Sequence, residues 1–76
     1  MKNKNDFLKH VAINIRNLRE RSGLTKEKLS KQLNVSVASL SSWENGDHLP
    51  SLNNVARLCN YYRISVSALI SKPDSI

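Results

Sequence analysis

The apolar residues of this chain recur at spacings of three and four, and Ser, Thr, Gly or Asn repeatedly interrupts the pattern. Such a period places apolar side chains on one face of an α-helix, and the interrupting residue types are those that begin and end helices. No segment alternates apolar and polar residues as a half-buried strand does. The pattern predicts an all-α chain with one core and helices at about 6–22, 26–33, 36–45, 51–62 and 66–71.

The residues at the predicted helix ends support these boundaries. Four helices are preceded by a hydroxyl that can accept a hydrogen bond from the first turn: Thr25, Ser36, Ser51 and Ser65. Three are followed by a residue that tolerates the left-handed conformation: Gly23, Asn34 and Gly46. The buried stripe of the fourth helix is expected at Leu52, Val55, Leu58, Cys59 and Tyr62.

The length of 76 residues predicts one domain, 1–76, with a basic tail at 1–5 and a short tail at 72–76. A chain this short can hold one small core, which leaves little room for a catalytic pocket. It contains no paired-carboxylate, Cys/His or Gly-rich phosphate motif, and His10 and His48 have no Cys or acidic cluster at ligand spacing. We therefore expect no catalytic residue, metal, cofactor or small-molecule ligand.

The chain is basic, with twelve Lys and Arg against six Asp and Glu. The excess lies entirely in residues 1–31, because three basic residues offset three acidic ones from Gln32 onward. This uneven distribution favours a polyanionic partner, nucleic acid before an anionic membrane, over a merely soluble basic surface. Cys59 is alone and no apolar stretch could span a bilayer, so the sequence predicts a cytoplasmic protein that does not associate with membranes.

The segment from Leu24 to Gly46 combines a short capped helix, a turn of three or four residues and a second capped helix. Each helix has only two inward apolar positions, Leu29 with Leu33 and Leu40 with Trp43. So few inward contacts leave the second helix projecting from the core. A helix held in this way fits the DNA major groove, which is about 12 Å wide.

From about Leu8 to Ile70 the chain resembles the phage-repressor/Cro-like helix-turn-helix family, also called the xenobiotic-response-element family. The elements that carry the resemblance stand in order: Ile15 with Leu18-Arg19, Gly23-Leu24-Thr25, Leu29 with Leu33, Val35-Ser36, Leu40, Trp43-Glu44-Asn45-Gly46, Pro50-Ser51-Leu52, and Ile64-Ser65-Val66 with Leu69. The resemblance implies a five-helix, lambda-repressor-like domain. It also implies a transcriptional repressor that binds a palindromic operator in double-stranded DNA as a homodimer.

The same resemblance implies roles for individual residues. The third helix would present four side chains to base edges: Val37, Ala38, Ser41 and Ser42. Phosphates would be met by Thr25, Lys26, Ser36, Ser39, Asn45 and Gly46. Helix N-termini suit this second role on physical grounds, because their free N–H groups and dipole favour an anion. Arg19 and Glu44 would form a structural ion pair between the first and third helices.

Two positions depart from the family pattern in ways that bear on DNA reading. Lys26 stands where glutamine is common, which favours a phosphate contact over a base contact. The outward face of the third helix has no Arg, Lys, Gln or Asn before Asn45, so the bidentate readers of guanine and adenine are missing. Reading must depend on serine hydroxyls, on Val37 and Ala38 against thymine methyls, and on DNA shape.

Other interpretations remain open from the residues alone. The chain could be a protein-interaction module of the same fold, such as an antitoxin or antirepressor, and an enzyme is the more remote alternative. Val37 could be a packing residue of the first turn, and the serines an inert polar face. A homodimer would use the end of the fourth helix and the fifth helix, with Tyr61, Val66 and Ile70 as candidates.

Overall fold

The computed structural model describes residues 4–73. These residues form five α-helices and no strand: α1 (Lys4–Arg21), α2 (Lys26–Leu33), α3 (Val37–Asn45), α4 (Leu52–Tyr62) and α5 (Val66–Ile70). The prediction of an all-α, five-helix domain is confirmed.

The helix ends differ from the predicted ones by one or two residues. Ser36 and Ser51, predicted as the hydroxyl caps of the third and fourth helices, flank α3 and α4 in that role, whereas Ser71 is the C-cap of α5 and not its last residue. The predicted basic tail 1–5 is wrong for Lys4 and Asn5, because α1 already begins at Lys4. Asp6 lies in the first turn, where its charge favours the helix N-terminus. The remainder of the predicted tails, 1–3 and 74–76, lies outside the described residues.

Four helices begin with the same hydrogen bond, in which a cap hydroxyl accepts from the backbone amide three residues later. The distances are 3.1 Å from Lys28 N to Thr25 Oγ1, 3.0 Å from Ser39 N to Ser36 Oγ, 3.3 Å from Asn54 N to Ser51 Oγ and 3.0 Å from Ala68 N to Ser65 Oγ. Each such cap stabilises its helix by about 1 kcal/mol. The starts of α2 to α5 are therefore specified locally.

Helices α1 to α4 also end alike, each on a residue with left-handed backbone: Gly23, Asn34, Gly46 and Arg63. In each case the next amide donates to a carbonyl five residues earlier, as from Asp47 N to Ser42 O at 3.0 Å. This is the Schellman motif, and it reverses the chain within two residues. Arg63 was not predicted as such a residue, because a long side chain is uncommon at its φ of 56°.

One fully buried side chain from each helix lies in the core: Ile15, Leu29, Leu40, Leu58 and Leu69. Helix α1 packs on α3 and α5, α2 packs on α3 and α4, and α4 packs on α5. The three helices α1, α4 and α5 thus support the pair α2 and α3 from behind. Within residues 4–73, the longest helices are too short or too polar to traverse a lipid bilayer.

The predicted burial of Leu52 is wrong, because this residue is 81% exposed. Val55, Leu58, Cys59 and Tyr62 are buried or half-buried, as expected from the stripe. Leu52 has the correct period, but it is the first residue of α4 and lies beyond the edge of the core. Pro50, in the loop before the helix, is buried in its place.

Candidate nucleic-acid interface

The turn between α2 and α3 fixes how the two helices meet. Asn34 adopts φ 58° and ψ 48° after α2, and the amide of Val35 donates to Ser30 O at 2.9 Å. Arg57 of α4 adds a bond from Nη1 to Leu33 O at 3.1 Å, so a cation satisfies the C-terminal carbonyls of α2. The turn is closed by its own backbone and held from behind by α4.

Helix α3 has two different faces. Leu40, Trp43 and Glu44 are buried against the rest of the domain. The four residues predicted to contact bases lie together on the outward side, where Val37 and Ala38 are exposed and Ser41 and Ser42 are half-buried. Val37 is 38% exposed, so it is not a core residue of the first turn. The outward face is a shallow surface of methyl and hydroxyl groups without a charge.

The residues predicted to meet phosphates surround this face. Thr25 and Ser36 are exposed at the N-termini of α2 and α3, where their hydroxyls accept the capping bonds. The Ser36 hydroxyl also donates to Ser39 Oγ at 2.9 Å, which orients the Ser39 side chain. Asn45 is exposed at the other end of α3, next to Gly46. The structure thus places this set at the N-terminus of α2 and along both ends of α3.

The positive charge near α3 is supplied by its neighbours, because α3 itself contains no basic residue. On α2, Lys26 is half-buried in the first turn, and Lys28 and Lys31 are exposed. Cations on the adjacent helix attract a polyanion without occupying the groove that α3 would enter. The positive charge and the uncharged face of α3 therefore lie on different elements.

Arg19 and Glu44 are in direct contact. Arg19 Nε donates to Glu44 Oε2 at 2.7 Å and Arg19 Nη2 donates to Glu44 Oε1 at 3.0 Å, which makes the pair bidentate. The Glu44 side chain has no exposed surface and that of Arg19 is 14% exposed. The hydrogen bond to Glu44 raises the pKa of the Arg19 guanidinium. Arg19 Nη1 also donates to Leu24 O at 3.0 Å, so one side chain joins α1, the turn after it and α3.

Two further contacts at this surface were not found by sequence reasoning. Arg16 of α1 approaches Glu44 Oε1 at 3.7 Å and its Nη2 lies 3.5 Å from Glu44 O. Arg16 lies three residues before Arg19 on the same helix face, and this spacing could have predicted its contact with Glu44. His48 Nδ1 lies 2.8 Å from Ser42 Oγ, and no periodic pattern predicts a contact from a loop.

The candidate dimer residues lie on α4 and α5, outside the helix pair α2 and α3. Tyr61 is 40% and Val66 46% exposed, whereas Ile70 is half-buried. Tyr61 points outward while Tyr62 packs on the core, with the two rings in an edge-to-face arrangement. The exposed pair offers apolar area to a neighbour.

Comparison with known proteins shows which family and which proteins this chain is similar to. Residues 15–69 match a family model described as Helix-turn-helix. A 62-residue stretch is 29% identical to the HTH-type transcriptional activator BcrR of Enterococcus faecalis, which covers 82% of this chain. The chain spans only 30% of the length of that activator.

Solved structures with the same arrangement include three bacterial proteins. The restriction-modification controller protein C.AhdI of Aeromonas hydrophila is 26% identical, with a TM-score of 0.74 over 82% of this chain and 94% of its own. The LexA SOS-response repressor of Eubacterium rectale is 24% identical, with a TM-score of 0.85 over 100% of this chain and 79% of its own. The hypothetical transcription factor NHTF of Neisseria is 20% identical, with a TM-score of 0.81 over 96% and 84%. At these identities the last two support the fold alone.

Proposed function

Because the chain belongs to the helix-turn-helix family of the Cro and phage-repressor type, whose members are DNA-binding transcription regulators and not enzymes, we propose that it represses transcription by binding a palindromic operator as a homodimer. The operator is double-stranded DNA, and the regulator acts in the cytoplasm. No cofactor or small-molecule ligand is part of the proposal.

The observation that carries the proposal is the outward face of α3. Its side chains are short, so the helix backbone can approach the floor of the major groove closely. The inward face is fixed by Leu40, Trp43 and the buried Glu44, which keeps the outward face in one orientation. A rigid helix with a free, uncharged face is suited to reading base edges rather than to binding phosphate.

The proposed contacts follow from the chemistry of the exposed groups. Val37 and Ala38 meet thymine methyls, while Ser41 and Ser42 exchange hydrogen bonds with base edges. Thr25, Lys26, Ser36, Ser39, Asn45 and Gly46 meet phosphates at the two ends of the helix pair. If about four to six phosphates are neutralised per subunit, log K falls against log salt with a slope of about −0.9 per contact.

The homodimer is proposed because a single domain this small would read too few bases for useful affinity. Two copies reading half-sites about 34 Å apart double the contacts on one face of the DNA. Tyr61 and Val66 supply the exposed apolar area for the contact between copies. A two-fold symmetric dimer requires a palindromic operator, since each half-site meets the same surface.

Repression is proposed as the outcome of operator position. A dimer bound across a promoter excludes polymerase by occupying the same DNA, and no activating surface is needed. The E. rectale neighbour is a repressor, whereas the E. faecalis relative is an activator. Whether the protein represses or activates transcription is therefore tested separately from binding. The test is a reporter driven by a promoter that contains the selected operator.

Selection from a random pool of duplex DNA tests the binding proposal. We expect an enriched palindrome, protection of both half-sites on one DNA face, and two copies per site by sedimentation. Enrichment of an asymmetric site bound by one copy would overturn the homodimer. Failure to enrich any sequence at low salt would overturn DNA reading and favour a protein-interaction module.

A further inference from the structure

His48 contacts the predicted reading surface although it lies outside α3. The amides of Gly46 and Asp47 donate back to Trp43 O and Ser42 O at 3.2 and 3.0 Å, which turns the chain back along the helix. The next residue, His48, therefore lies beside Ser42, and its Nδ1 is 2.8 Å from Ser42 Oγ. His48 is exposed and Ser42 half-buried, so the pair lies at the surface.

We infer that His48 is a specificity-determining residue of this surface, which acts by fixing the direction in which the Ser42 hydroxyl hydrogen points. The inference rests on the proposed function, in which Ser42 faces a base edge. A serine hydroxyl has one hydrogen and can both donate and accept, so alone it does not distinguish base edges. A partner that takes its hydrogen leaves only oxygen lone pairs for the base.

The chemistry of the imidazole ring determines which of the two side chains donates in the hydrogen bond between His48 and Ser42. In the neutral imidazole one nitrogen carries hydrogen and the other accepts. Nε2 lies on the far side of the ring from Ser42, and a DNA phosphate near the end of α3 accepts a hydrogen bond from Nε2–H. That bond fixes the tautomer and leaves Nδ1 as the acceptor for Ser42. Ser42 Oγ then accepts from the base.

This arrangement selects a class of base. In the major groove only adenine N6 and cytosine N4 present an amino group that can donate to Ser42 Oγ. Guanine and thymine present acceptors at the corresponding edge, which would face the serine lone pairs. The base opposite Ser42 is therefore an adenine or a cytosine. Because one neutral hydrogen bond is involved, the preference should be about fivefold, the low end of the cost of a mismatched pair.

Selection experiments with four variants test the inference. The wild type should enrich A or C at one position in each half-site, and His48→Ala should lose that preference at this position alone. Ser42→Ala should lose it equally, and adding His48→Ala to Ser42→Ala should change the preference no further. His48→Gln, which can still reach a phosphate, should keep more of the affinity than His48→Ala while losing the preference. His10→Ala is the matched histidine control and should leave the selected sequence unchanged.

The outcomes separate the inference from the proposed function. If the wild type enriches no sequence, the proposed function fails. If it enriches an operator that His48→Ala and His48→Gln reproduce at every position, with unchanged melting temperature, the inference fails. Nitrogen chemical shifts of the His48 ring in the operator complex give an independent readout. Hydrogen on Nε2 alone supports the inference, and hydrogen on Nδ1, whether the ring is neutral or charged, overturns it.

Discussion

The two faces of α3 lie in different environments. Inward, Leu40 and Trp43 are 0% and 5% exposed, and Glu44 is fully engaged by Arg19. Outward, Val37 and Ala38 are exposed, and Ser41 and Ser42 are half-buried. Nine residues thus contain one face that determines whether the protein folds and another that would determine what it binds.

Stability and recognition can therefore change independently within one helix. A substitution on the inward face removes buried contacts or leaves a charge unpaired, which costs several kcal/mol. A substitution on the outward face removes little, since surface changes usually stay within about 0.5 kcal/mol. Four substitutions test this separation.

Glu44→Ala should have the largest effect. The change leaves the Arg19 guanidinium without its bidentate partner in a buried site, and breaking such a pair costs about 3–5 kcal/mol. Chemical denaturation measures the loss, and Glu20→Ala on the exposed side of α1 is the matched control, expected within about 0.5 kcal/mol. A loss below about 1 kcal/mol for Glu44→Ala would mean that the pair behaves as an exposed one.

Arg19→Lys should have an intermediate effect. Lysine keeps the charge but loses the planar fork that bonds both Glu44 oxygens and Leu24 O. Loss of a hydrogen bond to a charged group costs about 1.5–3 kcal/mol, so the unfolding free energy should fall by an amount in that range. Wild-type stability in this variant would show that the charge at position 19 is sufficient to fix α3 against α1, without the bidentate geometry.

Val37→Ser should leave the melting temperature unchanged while changing the DNA read. The residue is exposed at the start of α3, and its proposed role is contact with a thymine methyl. Discrimination at one position per half-site should fall by about 1 kcal/mol, since no bidentate bond is involved. Competition binding with operators altered at single positions measures the loss. A collapse of the melting curve with unchanged preference would show that the outward face is a packing surface.

Lys26→Ala should have the smallest effect on reading. Its proposed contact is a phosphate, so binding should weaken equally on all sequences, by about 1 kcal/mol or less at physiological salt. The slope of log K against log salt should become shallower by about 0.9. Binding titrations at several salt concentrations, on operator and on unrelated DNA, provide the test. Weakening confined to the operator would move Lys26 into the base-reading set.

The parts of the structure that local chemistry determines could be predicted from the sequence. The cap hydroxyls and the left-handed Asn34 each depend on neighbours within one turn, and the helix boundaries follow from them. Leu52 shows the limit of periodicity, because the period does not tell where the core ends. The His48–Ser42 contact and the bonds from Asn14 to Leu69 O and Ser71 O, both 2.7 Å, depend on how distant elements meet. Polar contacts of this kind have no sequence period.

The repeated caps have a consequence for how fast the chain folds. Helices that start on a serine or threonine and close on a Schellman turn have their ends specified locally, because every bond involved lies within the helix and its caps. Chains dominated by local contacts fold in microseconds to milliseconds. The slow step is then the joining of separated segments, such as Asn14 with Leu69 or Arg19 with Glu44. A Glu44 variant should mainly unfold faster if this joining follows the folding transition state, and fold more slowly if it precedes it.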